Sequence, residues 1–326
     1  MGKKDTTVKL LTKDNEVFAE IFNRFLFGEE VVNPAELREM DTTELAAIAE
    51  KTIVEQKYRD VLKKAEVKTD NKFAYLLLGI ENQSELHYAM AVRTMLYDAL
   101  NYFAQIRQVK REIRKGRRSG YSDAEWLGGF PKGRTITPVI SLVLFWSPEK
   151  WDAPKSLYEM MDPDVVRRYG RWIEDYKINL VSVHDLPDEL LETKTEIGLA
   201  LEFSKYSNDN EKIREYQNDR RFENRSNEFV ATINEMTGSR FRLNPKGGNV
   251  NMREGLRKLQ EEAAREATRE AEKKAALKAE AKETESIRNS YELMEEVAPD
   301  LDRESKVQLI ARKFKKSVRY VNSILA

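Results

Sequence analysis

Residues 73–83, Phe-Ala-Tyr-Leu-Leu-Leu-Gly-Ile-Glu-Asn-Gln, form a near-continuous apolar run that turns abruptly polar at Glu81. Such a run fits a strand buried on both faces, and its polar end fits a strand whose tip reaches a site. Side chains alternate along a strand, so Glu81 and Gln83 share one face and Asn82 points to the other. A carboxylate there, with a hydrogen-bonding amide two positions on, can hold a hard divalent cation and the water it activates. The plainer reading of Glu81-Asn82-Gln83 is a polar strand end leading into a helix cap at Ser84.

Working outward, Leu86 to Ile106 reads as a helix with Met90, Leu96, Leu100 and Phe103 on its apolar side. Residues 137–146 read as a second buried strand and 178–183 as a shorter third. Upstream, Asp14 to Phe27 carries Val17, Phe18, Ile21, Phe22 and Phe25 at helical spacing, with Asp14 as N-cap and Gly28 as stop. Thr43 to Glu50 suggests a short helix, and 53–63 fits strand or helix equally. If 54–64 pairs antiparallel with 73–83 through a connection at 66–71, Asp60 comes alongside Glu81 and the two share a metal. The alternation of strand, helix and strand predicts an α/β fold, a β-sheet flanked by helices.

The 326 residues suffice for about two domains. The expected division is 1–186 for the α/β domain, 187–243 for a helical subdomain on it, and 244–250, rich in Asn, Pro and Gly, for a linker. A long charged helix over 251–300 and a small helical element over 301–326 then make an all-α C-terminal extension. Leu256, Leu259, Ala263, Ala267 and Leu277 offer only a thin seam along the long helix, so it serves as an exposed spacer or, with a second copy, as a route to a homodimer. Within 301–326, Ala311, Phe314, Ser317, Val321 and Ile324 follow a helix-turn-helix pattern, with Lys315 where glycine usually makes the turn. A small helical interaction element is the competing reading.

Composition narrows the chemistry. Lysine plus arginine (56) equals aspartate plus glutamate (56), which excludes a histone-like electrostatic binder and requires any nucleic-acid surface to arise from local segregation. The stretch Arg107–Arg134 supplies one, with nine Lys/Arg against three Asp/Glu, and Tyr121, Trp126 and Phe130 there either stack on bases or anchor the loop. No apolar run approaches the ~20 residues that span a bilayer, and no signal-peptide core follows Met1, so a soluble, cytoplasmic protein without a membrane partner is expected. The absence of cysteine excludes disulfides, thiolate zinc and a Cys nucleophile. Two histidines, His87 and His184, cannot build a multi-His site, so a catalytic metal must rest on carboxylates, which suits Mg²⁺ or Mn²⁺.

An acidic residue in Arg59-Asp60-Val61 followed by an E-x-Q in Ile80-Glu81-Asn82-Gln83 resembles the recombination-promoting nuclease and transposase-like (Rpn) family of the PD-(D/E)XK nuclease superfamily. The helix His87 to Asp98, with Arg93 and Tyr97, and the strand 138–145 resemble that family's next elements, and the likeness covers about 9–237. It implies a restriction-endonuclease-like mixed β-sheet flanked by helices and Mg²⁺-dependent (or Mn²⁺-dependent) endonucleolytic cleavage of DNA. By the same resemblance Asp60 and Glu81 bind the metal with the backbone carbonyl of Asn82, and Gln83 positions the water. Arg93, Arg111, Arg114, Lys115, Arg117 and Arg118 are the DNA-contact candidates. Two departures stand out: Arg59 occupies the usual proline position, and Gln83 replaces the superfamily lysine. An amide orients water but cannot stabilise developing charge as an ammonium does, so slow turnover is expected. The alternative is a non-catalytic DNA-binding or scaffold protein on a degenerate nuclease fold.

Overall fold

The computed structural model describes residues 8–40, 61–68, 73–116 and 118–326. Among these, the strands β1 (Arg38–Glu39), β2 (Val61–Lys68), β3 (Phe73–Gln83), β4 (Val139–Phe145) and β5 (Asn179–Ser182) hydrogen-bond in that order as one sheet. The first two pairings are antiparallel and the last two parallel. The apolar run is therefore the central strand, and its polar end lies beside the end of β4, with Glu81 opposite Val143 and Gln83 opposite Phe145. Leu78 and Ile80 are fully buried, which contributes about 1.5–3 kcal/mol each.

The expected antiparallel pairing is present, and its first strand, described from Val61, runs past the expected end at 64 to reach Lys68. The charged residues there are accommodated individually. The Lys63 ammonium is buried against the Lys13 carbonyl and the Asn15 side chain, while Lys64 lies 3.8 Å from the Tyr75 ring centroid. The short helix expected at 43–50, the 53–60 stretch, Asp60 itself and Arg117 lie outside the described residues.

Helices cover both faces. In chain order they begin with α1 (Val8–Lys13) and α2 (Asn15–Glu20), which continues as a π-helical stretch Ile21–Phe27. Asp14 caps α2, accepting from the Glu16 and Val17 amides, and Gly28 ends the stretch at φ 72°, a conformation that favours glycine. The long α3 (Met90–Lys115) follows β3, and α4 (Asp123–Gly128) precedes β4. Then come α5 (Pro163–Tyr169), α6 (Asp188–Leu191), α7 (Ile197–Lys205), α8 (Asn210–Tyr216) and α9 (Asn227–Thr237). Finally α10 (Met252–Val297), α11 (Arg303–Phe314) and α12 (Val318–Leu325) form the C-terminal helices.

Met90 and Ala91 of α3 pack on Val143 and Phe145, whereas Thr12 of α1 bonds the Asn82 side chain. The sheet is thus the middle of three layers, with α3 on the Glu81 face and α1 on the Asn82 face. Two helix expectations are corrected. The helix begins at Met90, four residues later than Leu86, and its N-cap is Ala89, with Ser84 left exposed. Its sheet-facing side is also more polar than expected: Phe103 is 52% exposed, while Thr94, Asp98 and Asn101 are buried. Thr94 and Asn101 donate to the Met90 and Tyr97 carbonyls of their own helix and Asp98 accepts from Ser141 of β4, so a hydrophobic stripe alone does not mark the packed face.

The chain divides into two compact units, the first ending at Leu256 and the second covering Arg257–Ala326. The segment around 244–250 is stitched into the first unit: Asn227 and Asn244 exchange hydrogen bonds, and Arg225 bridges Val250. Of the thin seam, Leu256 is buried while Leu277 is 58% exposed, and the side chains of Leu259, Ala263 and Ala267 lie outside the described ones. In the second unit Ile287, Val307, Ile310, Ala311 and Val321 form a small core from the distal part of α10 with α11 and α12. Among the described residues no helix is long and apolar enough to cross a membrane.

Candidate active site at the carboxyl end of β3

Glu81 is completely buried although it sits two residues from the end of its strand. A buried carboxylate needs a compensating partner, and α3 provides one: the Arg93 guanidinium donates to Glu81 Oε2 at 3.0 Å. The same guanidinium donates through Nε to the Tyr97 hydroxyl at 3.1 Å, one helical turn on. The side chain of Arg93 is 17% exposed. Arg93 and Tyr97 therefore brace the carboxylate, and this DNA-contact candidate lies against Glu81 instead of on an open surface.

Alternation along β3 sends Asn82 to the opposite face. There its Oδ1 accepts from the Trp146 indole at 3.0 Å and its amide donates to the Thr12 hydroxyl at 3.3 Å. Trp146 is itself held through its carbonyl, which accepts from Ser204. The Gln83 carbonyl accepts from the Trp146 amide at 2.8 Å on the β4 side. Successive carbonyls in a strand point to alternate neighbours, so the Asn82 carbonyl is directed toward the β2 side. Gln83 is half-buried and shares the Glu81 face.

A second carboxylate on that face escaped the sequence reading. Asp98 is buried and accepts from the Ser141 hydroxyl and, at 2.6 Å, from the Tyr176 hydroxyl. Its signal was weak, since an Asp five residues after Arg93 in a helix resembles any solvated charge. Only Ser141 opposite Gly79, in a strand otherwise apolar, hinted at a buried polar partner.

Other polar residues near the sheet and in the basic stretch make structural contacts. Glu20 accepts from the Lys194 and Thr195 amides at 2.6 and 2.9 Å. His184 contacts the Pro148 carbonyl at 2.8 Å, and His87 is half-buried just before α3. In the basic stretch, Arg114 donates to the Trp126 carbonyl and lies 4.6 Å from its ring centroid, so Trp126 anchors the loop. Arg118 pairs with Asp123, Arg134 pairs with Glu112, and Arg111 and Lys115 are exposed. Pairing within the stretch thus engages Arg118 and Arg134 with two of its three acids.

A mixed sheet between helical layers, with a buried Glu and a Gln at the end of its central strand, defines a restriction-endonuclease-like α/β fold. The family model described as "Putative transposase, YhgA-like" matches residues 3–222, and the chain belongs to that family, the Rpn/YhgA group of PD-(D/E)XK nuclease-like proteins. Searches of curated proteins and of solved structures each gave no significant match.

Proposed function

We propose that the protein is a metal-dependent DNA endonuclease whose catalytic centre hydrolyses phosphodiester bonds with low sequence specificity. The observation that carries this reading is Glu81, wholly buried at the tip of β3, ion-paired to Arg93 and on the same face as Gln83. Among the described residues no group of three or more His, Asp or Glu side chains converges, so a metal site calls for Asp60. In sequence Asp60 stands immediately before Val61, the β2 residue that pairs with Ile80 next to Glu81.

The donors fit a hard cation: two carboxylates, the Asn82 carbonyl directed toward β2, and the Gln83 amide are all oxygen ligands or water-orienting groups. Bound by Asp60, Glu81 and the Asn82 carbonyl, Mg²⁺ or Mn²⁺ would polarise the scissile phosphate and lower the pKa of a bound water. Arg93 offsets the charge of Glu81 and holds its carboxylate in one orientation. Gln83 orients the attacking water by a hydrogen bond to its amide, which cannot stabilise developing charge as an ammonium does.

Nicking of supercoiled plasmid in Mg²⁺ tests the reading. Wild-type protein should convert the plasmid to open circles, while Asp60→Asn and Glu81→Gln should not; equal nicking by all three rejects it. The Arg93 contact to Glu81 favours one second reading, a catalytically silent fold that only binds DNA. Salt-sensitive binding without cleavage in either metal would establish that alternative.

A further inference from the structure

The second unit carries its own surface of suitable chemistry, which the hydrolytic centre does not use. Between Ser305 and Ala326 there are six basic residues, Lys306, Arg312, Lys313, Lys315, Lys316 and Arg319, and no Asp or Glu. Lys306 is buried against Glu295, Lys316 pairs with Glu283, and Lys313 donates to Ser290, all on α10. Arg312, Lys315 and Arg319 are exposed.

The backbone gives that surface a defined shape. Lys315 takes the left-handed conformation at φ 53° and ends α11, its amide and that of Lys316 returning to the Arg312 and Ala311 carbonyls. Ser317 then caps α12 by accepting from the Tyr320 amide at 3.1 Å. This tight reversal holds α12 against α11 through Val321, Ile310 and Ala311. It leaves Val318, Arg319, Asn322 and Ser323 exposed, at spacings of one and four that place them on one side of α12.

We propose that α11 and α12, supported by the distal part of α10, form a helix-turn-helix head that reads duplex DNA through α12. Eight helical residues rise about 12 Å, close to the width of the major groove. Arginine and asparagine are the side chains whose paired donors and acceptors match guanine and adenine edges, and the Val318 side chain suits a thymine methyl. Arg312 and Lys315, flanking the turn, meet phosphates. The acid-free segment 305–326 supplies the charge complementarity through its exposed Arg312, Lys315 and Arg319, which a protein partner of ordinary mixed charge would not need. The head selects the site, and hydrolysis is not required for its action.

Full-length Glu81→Gln protein in chelator, presented with a random-sequence duplex pool, tests the proposal without cleavage. The expected result is enrichment of a short motif. Arg319→Ala/Asn322→Ala should lower affinity for that motif by about 10- to 100-fold while preserving binding to unrelated duplex. Lys315→Ala should instead weaken binding to all sequences and lessen the salt dependence by about one counterion. Arg319→Lys, which keeps the charge and the fold, should retain general binding and lose motif preference. No enrichment by the parent, or equal enrichment by the Arg319/Asn322 double variant with unchanged circular dichroism, overturns the proposal. Because none of these readouts involves nicking, they stand or fall separately from the hydrolytic reading.

Discussion

The tip of β3 and the α11–α12 corner both offer polar groups to a polyanion, yet they do so by opposite means. At β3 the decisive group is wholly buried and held by Arg93; at α12 Arg319 and Asn322 stand exposed. Burial makes a charge reactive and its orientation fixed, at the cost of desolvation that a partner must offset. Exposure makes a charge weak but free to match a groove, since water and salt screen it. The contrast underlies the two proposals, chemistry at the first region and recognition at the second.

The sharpest way to break this contrast is Glu81→Gln. Initial rates of plasmid nicking should fall by at least about 10²-fold while duplex binding in chelator stays within twofold; a parallel loss of both would place recognition at β3 as well. Arg93→Ala comes next, because it strands a buried carboxylate. Urea unfolding of the first unit should show a loss of about 3 kcal/mol, and the Arg93→Ala/Glu81→Gln pair should recover part of it.

Ile310→Ala opens the small core of the second unit and should cost about 2–5 kcal/mol. Hydrogen exchange should then accelerate across 287–325 and stay unchanged in β3 and β4; spread into the sheet would show that the two regions are not independent. The smallest effect concerns Lys63, whose pKa burial lowers from its ordinary value, against the opposing pull of Glu39 and Asp14. With the folded value below the unfolded one, the unfolded chain binds more protons in the interval between them, so stability rises as pH climbs toward about 10.5. Thermal melts of Lys63→Met from pH 7 to 10 should lack that rise.

How much of this was legible beforehand differs by region. The strand 73–83 was readable to the residue, because a continuous apolar run ending in Glu-Asn-Gln has few other physical solutions. The face on which each of its last three side chains lies followed from the period of two alone. The turn at Lys315 and the cap at Ser317 were likewise visible as a local pattern. The buried polar side of α3 was not: Thr94 and Asn101 satisfy themselves on their own helix, and Asp98 carries no mark of burial until Ser141 and Tyr176 arrive from far along the chain. Nor could the linker-like residues near 244–250 announce that they would be tied to Asn227 and Arg225.

Local order thus came from the chain's own periodicity and turn chemistry: which stretches become strands, which residues alternate, where helices start and stop. Those features depend on neighbours within a few positions, which any reader of the residues can see. The pairing of Glu81 with Arg93 and the enclosure of Asp98 came from packing. Each depends on how much water the surrounding layers remove and on which donor happens to face the acid, and these are settled only when the layers meet.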